Sequence, residues 1–151
     1  MSRQNNHFLR HTLATIAYRF QNATHNTSDD FGDFSPGQDT RTVSEVINHM
    51  YQLLRSSGML IKEGSFNSNP SEKLTYQPEI ERFSEELVNF DKILIEEELD
   101  MPTAYRLLQG PLSDILTHIG QIAMMRRLDG NPVKRGGYSS APIAIGQFSY
   151  F

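Results

Sequence analysis

Pro111–Gly130 reads PLSDILTHIGQIAMMRRLDG, and it carries both the fold and the candidate chemistry. Gly110-Pro111 opens it, a break followed by a residue suited to the first helical position. Arg126 and Arg127 followed by Gly130-Asn131-Pro132 close it, a cationic last turn and then stop residues. Between these signals Leu112, Ile115, Leu116, Ile119, Ile122, Ala123 and Leu128 recur at helical spacing, which predicts an amphipathic helix beginning at Pro111. A second stripe, Asp114, His118, Gln121 and Met125, runs beside the first. It sets a carboxylate and an imidazole one turn apart on the edge of a buried face.

Working outward, the rest of the chain supplies partners for this helix. A first helix is expected from about Gln4 to Thr24, where Leu9, Leu13, Ile16 and Phe20 form an apolar stripe. His7 and His11 stand one turn apart on it, but no carboxylate or third His lies near, so they read as a solvated first turn. Asn26–Thr40, NTSDDFGDFSPGQDT, reads as a solvated loop, since its aspartates lack the order and terminal Glu of a calcium loop. Thr42-Val-Ser-Glu45 matches a capping box and starts a second helix. Val43, Val46, Ile47, Met50, Leu53 and Leu54 form its buried side, and Ser56-Ser57-Gly58 reads as its end. His49 stands against that apolar side, with Glu45 one turn before it. A long connection through Gly64–Ser71 leads to a third helix, from about Pro78 to Leu99. There Ile80, Phe83, Leu87, Phe90 and Leu94 keep the alternating three-four spacing of a bundle seam. A short helical piece from Asp100 to Gln109 follows. The tail, residues 131–151, ends in Phe148, Tyr150 and Phe151 and reads as an ordered extended segment across the bundle.

No strand set sufficient for a sheet appears, so the fold class expected is all-α: one domain spanning 1–151, an antiparallel four-helix bundle with an extended C-terminal tail. The chain has 151 residues and no cysteine, which rules out disulfides and thiolate metal sites. Its net charge of −4 offers no broad attraction to nucleic acid, and no basic stripe supplies one. There is no apolar run of membrane-spanning length and no signal-peptide core, so a cytoplasmic protein is expected.

Helix-borne metal sites in bundles are built from inward side chains of facing helices. Asp114 and His118 from the last helix and His49 from the second form a two-imidazole, one-carboxylate set with open coordination positions. Such a set suits Zn, Ni, Fe or Mn. Glu45 and Gln121 are the candidates to orient His49 and His118. The same residues also fit a plainer reading, a helix ion pair beside a packed histidine. Two histidines and a carboxylate describe non-haem iron oxygenase sites as well, though no co-substrate site is visible.

His49 within VSEVINHMYQLL, with GPLSDILTHIGQIAMMRRLDGNP much later, resembles the DinB-like, YfiT-like family of metalloenzymes. That family's pattern is a histidine on the second helix, a late pair of ligands four apart, His-x-Gly-Gln and a closing Gly-x-Pro. The lead-in GQDTRTVSEVINHM is similar as well. The resemblance spans about residues 5–135, and its specific part is residues 38–50 and 110–132. It implies an up-down-down-up bundle, frequent homodimers, and divalent metal ligands at His49, position 114 and His118. Here Asp114 stands where the family usually has His, and Ile119 where Arg is common. The activity implied is thiol-dependent S-transfer or isomerisation, with a low-molecular-weight thiol bound and activated by the metal. A non-catalytic interaction or stress-related bundle, its site degenerate or structural, is the alternative.

Overall fold

The computed structural model describes residues 2–67 and 69–151. Four long helical arms form around one core, with no strand among the described residues. The first arm is α1, Ser2–Thr24, whose Leu9, Leu13, Ile16 and Phe20 stripe is buried as its spacing predicts. The second is α2, Val43–Glu63. Thr42 caps it through a complete capping box, its hydroxyl accepting from Glu45 N and its own N–H donating to the Glu45 carboxylate. The third is α3, Tyr76–Glu96, and its Phe83, Leu87, Phe90 and Leu94 are all essentially inaccessible.

The fourth arm departs from expectation. Helix α4, Met101–Leu107, capped by the Asp100 side chain, does not stop before Pro111. A π-helical turn, Leu108–Leu112, joins it to α5, Ser113–Leu128. A proline inside an α-helix removes a donor and presses its ring on the carbonyl four residues back. The wider π turn tolerates this, with the Ser113 N–H reaching five residues back to the Leu108 carbonyl. The turn ends at Leu112, one residue before the segment bearing Asp114 and His118. Ser57 and Gly58 likewise do not end α2, which continues to Glu63 and a left-handed Gly64. Their smallness serves packing instead: a Cβ on Gly58 would come within 3.2 Å of Ile93 Cδ1 on α3. Leu128, counted with the buried stripe of the last helix, is exposed.

Side-chain contacts give the direction of each packed pair. Asn6 donates to the Leu94 carbonyl, Arg10 pairs with Asp91 and Phe20 meets Phe83, so α1 and α3 are antiparallel. Asn48 bonds to Glu79, and the Arg82 guanidinium lies 4.4 Å from the centre of the Tyr51 ring, so α2 and α3 run the same way. His49 meets His118 while Ser56 faces Ser113 across a cleft, so α2 and α5 are antiparallel. Arg126 on α5 donates to the carbonyls of Asn22 and Ala23, the end of α1. That buried arginine satisfies C-terminal carbonyls of a helix that has no basic residue in its own last turn.

Two connections are tied down by polar contacts. Glu79, almost fully buried, accepts from Asn48, Leu74 N and Arg82, which staples the α2–α3 connection to both helices beside His49. The loop after α1 is not wholly solvated: its short 3-10 turn, Asp29–Asp33, buries Phe31 edge-on to Tyr76, while its three aspartates stay exposed. The C-terminal tail lies along α1. Gln21 donates to the Phe148 carbonyl and accepts from Tyr150 N, and Phe151 stacks on His25 at 4.4 Å.

Candidate metal centre

The antiparallel α2–α5 pair carries the candidate residues. His49 projects from the second turn of α2, where neighbouring Ile47, Asn48 and Met50 are buried. Asp114 and His118 project from the first turns of α5, one helical turn apart. The three converge, each offering one ligand atom, and those atoms all lie within 4.8 Å of one another. His49 Nε2 is 3.9 Å from Asp114 Oδ2, and His118 Nε2 is 3.5 Å from Asp114 Oδ1. Both separations exceed a hydrogen bond. They are close to the roughly 3.4 Å that separates two ligands on a tetrahedral ion with bonds of about 2.1 Å. The imidazole rings stand edge to face, 4.9 Å between centroids.

The orientation of His118 adds a chemical constraint. Its Nδ1 lies 2.8 Å from Gln121 Oε1. With Nδ1 as the donor to that oxygen, a neutral ring would turn its Nε2 lone pair toward the Asp114 carboxylate. Two acceptors would then face each other, and a cation between them would relieve the repulsion. His49 is held toward the neutral form that ligates metals. Burial lowers its pKa first, the positive charge of Arg41 lowers it further, and Asp114 opposes them.

Burial grades across the trio. The His118 side chain is 10% exposed, His49 28% and Asp114 47%, so the centre is closed on its helix side and open on the other. Two clefts meet there. One of about 870 Å³ is lined by Arg41, Val46, His118, Gln121, Met124 and Met125 among others. One of about 600 Å³ is lined by Leu53, Phe66, Pro111 and Asp114, and Thr117 borders both.

Glu45 does not reach His49. Its carboxylate is engaged by Thr42 N at 3.1 Å and Lys73 Nζ at 3.1 Å, and those contacts hold its pKa down. Each of its oxygens is taken up by one of these contacts, Oε1 by Thr42 N and Oε2 by Lys73. His7 and His11 are exposed on α1. Arg41 is the residue of this region that the sequence did not single out. It sits just ahead of the capping box, and only its place on the cleft wall marks it.

Compared with protein-family models, with curated proteins and with solved structures, the chain matches none. Fold and donor geometry alone therefore define it here, as an all-α bundle with a histidine–aspartate–histidine group able to hold a metal ion.

Proposed function

We propose that the chain binds one divalent metal ion through His49, Asp114 and His118 and is a metal-dependent enzyme acting on a small molecule. Thiol-dependent S-transfer is the reaction that its resemblance to the DinB-like family favours. The observation carrying this reading is the convergence of His49, Asp114 and His118, whose ligand atoms all lie within 4.8 Å of one another, with His118 Nε2 3.5 Å from Asp114 Oδ1. The donor set of two nitrogens and one oxygen fits Zn, Ni, Fe or Mn and leaves positions for an exogenous ligand. Bound there, such an ion supplies Lewis acidity and lowers the pKa of a coordinated thiol, or of water to about 7.

The chain's own residues do the rest. Gln121 fixes the tautomer and rotation of His118. Asp114 supplies the negative charge that partly neutralises a dication. The buried flank of α2 and α5 keeps water from the back of the site, while two clefts, one lined by His118 and the other by Asp114, give reactants access.

Elemental analysis of protein purified without chelator or metal-affinity tag tests this. About one divalent ion per chain, lost in His118→Ala, supports the reading. Stoichiometric metal retained in that variant sinks the ligand assignment, and its absence from the wild type leaves a bundle whose polar trio is structural.

A further inference from the structure

The two clefts at the centre differ in charge. The smaller is lined by one ionisable group, the Asp114 carboxylate; Arg106 is not on its lining, and its guanidinium lies 5.2 Å from the centre of the Phe66 ring. The larger carries a guanidinium, Arg41, on its wall. Arg41 is exposed and makes no ion pair with the described residues. Gln121 adds a second donor: with its Oε1 committed to His118, its amide N–H groups are left for the cleft it lines. The Thr40 and Thr117 hydroxyls on this wall already donate to the Gly37 and Ser113 carbonyls, and Asp39 is its one carboxylate. The remaining lining is largely apolar: Val46, Met124, Met125 and Leu128. Two of these, Met124 and Leu128, are otherwise large apolar side chains left in water.

We propose that the larger cleft receives the carboxylate of a small organic acid with an apolar body, and that Arg41 selects it. A planar guanidinium pairs with a carboxylate through two parallel N–H bonds, and the methionines adapt to an apolar body of varied shape. A cleft of about 870 Å³ is of the size that encloses a small ligand. This names the substrate class for the centre proposed above and rests on that reading only in placing the acid beside the ion. The Asp114 side is left to the uncharged or thiol-bearing reactant.

Calorimetric titration of the full chain with 4-phenylbutyrate and its neutral amide, 4-phenylbutanamide, tests the assignment. Zinc-loaded and chelator-stripped protein are both titrated, with metal content measured on the same samples. The acid should bind about tenfold more tightly than the amide in both forms. Arg41→Gln should erase that preference, leaving amide affinity, metal content and thermal stability unchanged, while Lys92→Gln on α3 keeps the preference. Equal affinities in the wild type, a preference surviving in Arg41→Gln, or one present only with zinc would each overturn the proposal. In the last case the carboxylate sits on the ion. A chain that takes up no zinc yet prefers the acid through Arg41 refutes the metal reading and upholds the cleft.

Discussion

Two of the polar clusters that sit between helices in this bundle are built to opposite rules. Between α1 and α3, Arg10 grips Asp91 with two hydrogen bonds of 2.8 and 3.1 Å. Each charge is answered by the other, and the Arg10 pKa is raised chiefly by that bond. Between α2 and α5, the His49, Asp114 and His118 donors stand 3.5 and 3.9 Å apart and make no hydrogen bond with one another. The first cluster is a finished interaction that ties two helices. The second brings three potential ligand atoms within 4.8 Å of one another without closing a hydrogen bond, beside two clefts, and so could hold a metal ion. Closed geometry ties helices together, and open geometry leaves room for a ligand.

The largest expected effect breaks the comparison outright. Replacing Asp114 or His49 by Ala should abolish stoichiometric metal, as for His118→Ala, while leaving stability in chelator within about 0.5 kcal/mol of the wild type. Elemental analysis beside urea denaturation reads both, and a large stability loss would place the trio with the structural clusters. Asp91→Ala should do the reverse. It strands the Arg10 guanidinium, and because that side chain is 20% exposed the cost is about 2 kcal/mol rather than that of a fully buried charge. Metal content should not change.

A smaller change sharpens the contrast within the metal centre. Gln121→Ala releases the His118 ring without removing a ligand, so metal affinity should fall roughly 10- to 100-fold, measured by competition with a chromophoric chelator. Affinity unchanged would show that packing alone orients the ring.

The smallest effect concerns Glu45. Glu45→Ala should lower thermal stability by about 0.5–1 kcal/mol through the lost capping box, with metal affinity untouched. Thr42 and Lys73 depress its pKa below the ordinary 4.5. Its contribution is therefore present in full above that value and is lost as pH falls through the lowered one. The stability difference between wild type and Glu45→Ala should shrink on acidification, and a difference constant with pH would contradict the capping assignment.

The seam of α3 and the stripe of α1 were legible because a helix needs only its own period to show which face it buries. Thr42 and Glu45 were legible as a cap because the partners lie three residues apart. Glu45 was misjudged as a partner of His49 because spacing tells which groups are near, not which contact wins. The π turn was hidden for a related reason. Gly110-Pro111 carries the local signature of a break, and only packing against α1 and α2 keeps the chain helical through it. Ser57 and Gly58 carried the same false stop, since a small residue ends an isolated helix but lets a packed one approach its neighbour.

By itself, the sequence determined the all-α class, the faces that meet, the capping box and the three residues able to hold a metal. It determined these because each rests on chemistry and periodicity within a few turns of chain. Tertiary structure alone decided that His49 meets Asp114 and His118, that the Asp114 carboxylate faces the His118 Nε2, and that Arg41 lines one cleft and not the other. Those are relations across 65 residues or more for the trio. They are set by how the core aligns and rotates whole helices, which no local pattern records.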